Sequence, residues 1–416
     1  MLFKNIAQNA MHNSGEVSAQ PKCHPRTREA IIEALIEWAS SCKPQCQVEW
    51  VYGPAGTGKS TILRTIAQLL ADKGLLLGSF FFFRTSEMRN TAKHFIPTLA
   101  YQLARQIPTV KEHISKEVEV DPAIFSLSLW DQAKALIVSP LRSALRDPSF
   151  DFNQHPSVLV IDGLDECGDK SSQRQILSVL FRIIQNVHSA VLVLIASRPE
   201  HHIREAFNSG DLNHISTRIS LDSSYNPDKD IRKFLVDKFE DFRNRDDVPR
   251  SCKDTVWPEV EIVEKLVAKA SGQFMYASTV ISYVCSPRHN PMDRLGIVMG
   301  AIKSGSQKPF EQLDSLYEAI FNGVDEDSLD GALRVLGFVL IPSLDLPKRR
   351  SEFPDSRLSP NYIEHFLELQ EGDVRRYLSG RFWIDCDGVY NDILKICLSR
   401  MHSWHELCDA RHCESQ

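Results

Sequence analysis

The sequence predicts an α/β protein: a parallel sheet of five strands with helices on both faces, followed by an all-helical region. Three observations predict it. Short runs of apolar residues alternate with stretches of helical periodicity, the pattern of strands buried on both faces. One such run leads into a Gly-rich turn that opens a helix, and another ends abruptly in a carboxylate. From about residue 222 onward the strand signals stop and only helical patterns remain.

Taken in order, residues 1–28 are polar, carry Pro21 and Pro25, and read as a lead-in segment. Residues 29–39, EAIIEALIEWA, set apolar side chains at helical spacing. The first strand is VEWVY at 48–52, and a helix covers 62–70. LLLGSFFFF at 75–83 reads as a buried strand, which makes Phe80 to Phe83 part of the central sheet rather than a stacking surface. Over 93–107, Phe95, Ile96, Leu99, Leu103 and Ile107 share one helix face. A helix over 129–146 is expected to break at Pro140, whose ring removes a donor and clashes with the preceding turn. SVLVI (157–161) is a strand, 172–187 a helix, VLVLIA (191–196) a strand, and STRISL (216–221) the fifth. His201 and His202 read as surface residues at a helix start. Helices are then expected over 228–242, 259–285, 313–321 and 329–340, with a loose connection over 287–310. No internal repeat of solenoid or propeller period occurs.

Bulk properties narrow the function. Composition is ordinary globular, 43% hydrophobic and 25% charged. A net charge of -6 argues against a broad electrostatic grip on nucleic acid or an anionic membrane. The longest apolar run, at 75–83, is too short to span a bilayer, and the start MLFKNIAQNAMHNSG lacks the apolar segment of a signal peptide. A cytoplasmic setting is therefore expected. The 10 cysteines are scattered and read as reduced thiols, Cys42 and Cys46 among them.

The chemistry lies in two motifs. GPAGTGKST, residues 53–61, has the P-loop spacing and stands between a strand and a helix, as that motif requires. Gly53, Pro54, Ala55, Gly56, Thr57, Gly58, Lys59, Ser60 and Thr61 form the phosphate cradle. Gly56 and Gly58 permit backbone angles that turn successive N–H groups inward. Lys59 reaches the β- and γ-phosphates, and the Ser60 hydroxyl ligates Mg²⁺. VLVIDGLDEC at 158–167 supplies the second motif. Asp162 ends the strand where a P-loop protein holds Mg²⁺. Glu166 is the first choice for the group that orients and deprotonates water, and Asp165 the second. Arg198, after the next strand, either senses or stabilises the γ-phosphate or has a structural role, capping the strand or pairing with one of these acids. The expected fold is thus a P-loop NTPase with nucleotide and Mg²⁺ as ligands. The absence of an Asn-Lys-x-Asp stretch argues against a regulatory GTPase, although the motifs do not discriminate ATP from GTP.

GPAGTGKST, DGLDE after VLVI, and the ASRP strand end resemble the NACHT class of signal-transduction NTPases. The stretches at 12–28, 74–90 and 225–235 are similar to fungal NACHT proteins, related to the nephrocystin-like N-terminal P-loop domain. SGQFMYASTVISYV (271–284), LDSLYEAIF (313–321) and ALRVLGFVLIPSLDLP (332–347) resemble the helical and winged-helix parts that follow that domain. The resemblance implies a P-loop domain at 29–222, a helical domain at 223–310, a partial winged-helix region at 311–396 and an atypical tail at 397–416. It also implies a switch of innate-immune type, locked by ADP, opened by ATP, reset by slow hydrolysis, and assembling into homo- or hetero-oligomers with related chains. The first helix begins near residue 29 and no sensor repeat follows, which keeps a second reading open: a nucleotide-binding adaptor or decoy that pairs with longer relatives. A ring-forming motor is a third. In the tail, Cys397, His402, His405, Cys408, His412 and Cys413 match no zinc spacing.

Overall fold

Residues of the central strands have to serve one of two cores, and that requirement explains the apolar runs. A computed structural model describes residues 1–41, 46–84, 86–147, 157–187, 191–208, 212–221, 225–245, 257–286 and 290–300. These divide into two units, with the boundary between Pro227 and Asp228.

The first unit holds five parallel strands: β1 (Val48–Tyr52), β2 (Leu76–Phe81), β3 (Val158–Asp162), β4 (Leu192–Ser197) and β5 (Ser216–Ser220). Their order across the sheet is β2-β3-β4-β1-β5. On one face Val51, Phe81, Val158, Val160, Leu192, Leu194 and Ala196 pack against α2 (Glu29–Ser40) and α3 (Lys59–Asp72). The short helix α1 (Gly15–Ser18) adds Val17 to this core. On the other face Trp50, Phe80, Leu159, Ile161, Val193 and Ile195 meet the remaining helices. These are α4 (Phe95–Gln106), α5 (Pro108–Val120), α6 (Leu129–Ala133), α7 (Ser139–Leu145), α8 (Lys170–Val187) and α9 (His201–Asn208). Alternate residues of one strand thus enter different cores, which is why VLVID and LVLIAS carry almost no polar side chain.

Five local expectations are corrected. The helix over 129–146 does not break at Pro140. A π-helical turn, Lys134–Val138, precedes it, and the Ser139 N–H bonds to the Lys134 carbonyl. Pro140 then falls in the first turn of α7, where a missing donor is tolerated. Residues 1–28 are not a mere lead-in: Ala7 and Ala10 are fully buried, and the His12 N–H reaches Ser79 Oγ at 2.9 Å. His202 is buried, not a surface residue. In the second unit, the single helix expected over 259–285 is two. Among the described residues, the second unit's helices are α10 (Pro227–Arg243), α11 (Val260–Ala270), α12 (Phe274–Val284) and α13 (Pro291–Gly300). Between α11 and α12, Ser271 and Gly272 take φ of 47° and 80°, a left-handed stop. α13 also replaces part of the loose connection expected over 287–310. The regions expected as winged helix and tail, with their Cys and His residues, lie outside the described residues, as does Cys42.

β2 is an edge strand, and a side chain closes its open edge. The Gln102 amide accepts from the Ser79 N–H at 3.0 Å and donates to the Ser79 carbonyl at 2.8 Å. It imitates the next strand of the ladder. Gln102→Leu leaves both buried backbone groups unpaired, at roughly 1–3 kcal/mol each. A clear drop in the thermal unfolding midpoint, with the helical circular dichroism of the native chain intact, is the expected measurement.

In the second unit Ile231, Leu235, Phe239, Val263, Leu266, Val280 and Leu295 form the interior. Arg232 on α10 makes a two-pronged pair with Glu264 on α11, and the Arg294 guanidinium on α13 caps the Tyr283 carbonyl at 2.7 Å. No helix among the described residues is long and apolar enough to cross a membrane.

Candidate functional site

The strand order places the two sequence motifs at one edge. β1 pairs with β4 so that Tyr52 stands opposite Ser197, and β2 pairs with β3 so that Phe81 stands opposite Asp162. Residues 53–58, Asp162 and Arg198 therefore all leave the carboxyl ends of neighbouring strands. β4 lies between β1 and β3, so Arg198 rises between the Gly-rich loop and the acids.

The loop holds its shape through its own contacts. Thr57 Oγ1 donates to the Pro54 carbonyl at 2.9 Å, and Arg28 Nη2 donates to the Thr57 carbonyl at 3.0 Å. Gly58 has φ of 91° and open space where a Cβ would stand. The backbone here is available for close approach by a ligand, and α3 begins at the next residue. Lys59 Nζ donates to the Gly53 and Pro54 carbonyls, both at 2.8 Å. An ammonium has three donors, so one remains for an anion. Burial lowers the Lys59 pKa, opposed by Asp165, Asp162 and Glu166 and reinforced by Arg198. The charged residues singled out in the sequence thus share one electrostatic site.

Asp162 is the test of a metal. Its side chain is buried, its Oδ1 has no hydrogen-bond partner, and the Ser60 hydroxyl bonds to its carboxylate. Burial pushes its pKa up from the usual carboxylate range, against the pull of Arg64, Ser60 and Lys59. An orphaned buried oxygen beside a serine hydroxyl, both hard donors, fits Mg²⁺ bound between them directly or through water. Among the described residues no group of three His, Cys, Asp or Glu side chains is arranged to hold a metal by itself. A metal here would complete its shell with water and phosphate, as Mg²⁺ commonly does.

The sign of the Asp162 shift gives a prediction. A carboxyl whose folded pKa is raised binds its proton more tightly in the folded state. It costs stability as pH rises above its unfolded value, near about 3.9 for Asp. Asp162→Asn should therefore raise the melting temperature of the nucleotide-free chain at neutral pH, with the gain shrinking toward acid pH. The same variant should lose the Mg²⁺ dependence of nucleotide binding. Thermal unfolding across pH checks the first half and titration with and without Mg²⁺ the second.

The two further acids have different surroundings. Asp165 is buried and pairs with Arg198: its Oδ1 accepts the Arg198 N–H at 2.8 Å and its Oδ2 lies 3.3 Å from Arg198 Nε. Glu166 is only partly buried, and its Oε2 accepts the Arg84 N–H at 3.2 Å, across the end of β2. The turn Leu164–Glu166 carries both, and it starts from Gly163 at φ of 68°. The positive φ is what favours glycine at 163, since a Cβ there would meet the Glu166 carboxylate only at ordinary contact distance, 3.4 Å. Of the two roles left open for Arg198, the pairing with an acid is present and the partner is Asp165.

Sequence reasoning missed several participants. Arg64 lies one helical turn beyond Ser60, is the largest single attraction opposing burial at Asp162, and donates to the Pro21 carbonyl at 2.8 Å. Its i,i+4 spacing from Ser60 was a readable signal. Arg89 is buried, donates through Nε to the Phe81 carbonyl at 2.8 Å and pairs with Glu16 at 3.3 Å. Arg28, Gln173 and His202 carried no signal beyond ordinary polar residues.

Residues 27–198 match the family model described as Nephrocystin 3, N-terminal. Comparison with curated proteins gives no match. Among solved structures the chain is similar to C. elegans PCH-2, with 13% identity, a TM-score of 0.36, and coverage of 70% of this chain and 68% of that one. It is also similar to Drosophila ORC bound to DNA, with 14% identity, a TM-score of 0.40, and coverage of 93% and 81%. AMPPCP-bound DnaA from Aquifex aeolicus has 13% identity, a TM-score of 0.35, and coverage of 91% and 96%. These likenesses are too distant to transfer function. The P-loop NTPase fold rests on this chain's own strand order and loop.

Proposed function

We propose that the chain is a nucleotide-binding switch of the NACHT type, which binds ATP or ADP with Mg²⁺ and hydrolyses the triphosphate slowly. The observation that carries this reading is the meeting of Lys59 and Ser60, from one strand end, with the orphaned Asp162 oxygen from another. Lys59 and the N–H groups of residues 56–60 would bind the β- and γ-phosphates. Ser60 and Asp162 would hold Mg²⁺, which when bound neutralises charge on the phosphates. Glu166 would orient the attacking water and take its proton. Arg198, steered by Asp165, would stand beside the γ-phosphate, where a triphosphate and a diphosphate differ. Slow turnover is supported by the hold of the Arg84 N–H on Glu166, which draws that carboxylate toward the end of β2.

A γ-phosphate that pulls Arg198 from Asp165 would give the switch its two states. The test is an equilibrium comparison of Mg–ATP and Mg–ADP binding in Asp165→Asn. Without the carboxylate, Arg198 is released in both states, so the parent's preference between the two nucleotides should shrink severalfold. An unchanged ratio contradicts this role. Assembly with related chains, in either homo- or hetero-oligomers, belongs to the same proposal.

A further inference from the structure

Beyond the phosphate-facing residues, a buried polar chain runs behind the turn that carries Asp165 and Glu166. Gln173 on α8 is 3% exposed, and its Nε2 donates both to the Asp165 carbonyl at 3.2 Å and to the Cys167 carbonyl at 2.7 Å. These two carbonyls flank Glu166 on either side. The amide nitrogen is thereby used twice, which turns the Gln173 oxygen toward His202 on α9, also 3% exposed. That oxygen can only accept, so His202 Nε2 carries the hydrogen between them. The other ring nitrogen, Nδ1, lies 3.6 Å from a Glu200 carboxylate oxygen.

α9 begins three residues after Arg198. The chain therefore joins the turn holding the acids to the segment holding the arginine. A buried amide whose two donors are both aimed at one backbone turn is a device for fixing that turn. The apolar contacts of α8 with the core are made by Ile176, Leu177 and Leu180.

We propose that Gln173 and His202 are positioning residues for hydrolysis: Gln173 clamps the backbone on both sides of Glu166, and His202 sets the orientation of Gln173. This rests on the hydrolytic reading of the site. The geometric requirement is strict, because misplacing a catalytic group by about 1 Å can cost on the order of 100-fold in rate.

The test uses the full chain and three single variants. Gln173→Met keeps length and removes both donors. His202→Phe keeps the ring and removes its N–H. His202→Gln keeps a donor at nearly the same reach. For each, Mg–ATP affinity is measured with a fluorescent ATP analogue, hydrolysis by single turnover, and backbone mobility by amide exchange of the peptide covering 163–168 without nucleotide. The expected result is affinity within about twofold of the parent and hydrolysis slower by about tenfold or more for Gln173→Met and His202→Phe. Exchange should be faster in 163–168, with β1 and β4 unchanged. His202→Gln should restore most of the rate, and the double variant Gln173→Met/His202→Phe should be no slower than Gln173→Met alone.

Unchanged exchange in 163–168, or parental hydrolysis rates in folded variants, overturns the proposal. So does a loss of affinity in step with rate, which is the mark of general structural damage. If the parent itself does not hydrolyse ATP, the hydrolytic reading falls on that result alone, and the exchange data still decide whether the pair holds the turn. If His202→Phe fails to fold, Gln173→Met and His202→Gln carry the same contrast.

Discussion

Lys59→Ala should abolish nucleotide binding while leaving the chain folded. The ammonium bonds the Gly53 and Pro54 carbonyls and keeps one donor for phosphate. Losing a desolvated, charge-assisted contact of this kind costs about 2–5 kcal/mol, a fall in affinity of roughly 30-fold to several thousandfold. Stability should move little, because two effects oppose each other. The two carbonyl bonds disappear, which destabilises. The penalty of burying the ammonium also disappears, and the lowered pKa of Lys59 gives its sign. A Lys whose folded pKa is depressed carries that penalty at every pH below its ordinary value, including neutral pH. Titration with Mg–ATP and a thermal melt on the same sample separate lost binding from lost fold.

Glu166→Gln should do the reverse: bind triphosphate as well as the parent and fail to cleave it. The amide oxygen can still accept from the Arg84 N–H, so the local structure has no reason to change. What disappears is a group able to take a proton from water, a contribution of about 10²–10⁴ in rate. After incubation with Mg–ATP the variant should retain triphosphate where the parent accumulates diphosphate. Asp165→Asn is the comparison: its carboxylate holds Arg198, so its effect should fall on nucleotide preference and not on proton transfer from water. If Glu166→Gln hydrolyses at the parental rate, Glu166 is not the base.

How much of this was legible depended on whether the cause was local. The strands VLVID and LVLIAS are readable because burial on both faces leaves no room for polar side chains, and burial on both faces is itself a local pattern. The P-loop and the Asp162 strand end were readable for the same reason: each binding group follows its strand directly. Strand order was not readable, since parallel neighbours are joined through helices and no single segment records which strand it will meet. That order is what brings Arg198 between Lys59 and Asp162.

Pro140 misled because its effect depends on the preceding turn. A single π turn converts a helix break into a helix start. His202 misled because a lone histidine near a helix start is usually exposed. Here it sits beside Ile203, with Phe207 further along the same helix, on the buried side of α9, and Phe207 stacks on Trp50 at 4.2 Å between ring centroids. The lead-in misled because its polar composition hides a few small apolar residues. Ala7 and Ala10 bury little area individually, yet the backbone around them is tied down by specific hydroxyls, Ala7 N–H to Thr98 and His12 N–H to Ser79. For His202 and the opening segment the deciding partner lies far away in sequence, whereas for Pro140 it is the turn just before it.

These long-range ties also place the opening residues beside the site. Glu16 reaches Arg89, the Pro21 carbonyl takes Arg64, the Cys23 N–H bonds Thr65 Oγ1 at 2.9 Å, and Arg28 reaches Thr57. Three of those contacts are made by residues of α3 or the P-loop, so the opening segment of the first unit is fastened to the elements that would hold phosphate.

The central claim is that the loop, Ser60 and Asp162 form a working Mg–nucleotide site. It is tested most directly by calorimetric titration of the nucleotide-stripped chain with ATP, in the presence and absence of Mg²⁺. The account predicts one-to-one saturable binding that weakens markedly when Mg²⁺ is withheld. A folded chain that shows no saturable binding of ATP or GTP with Mg²⁺ present would contradict it.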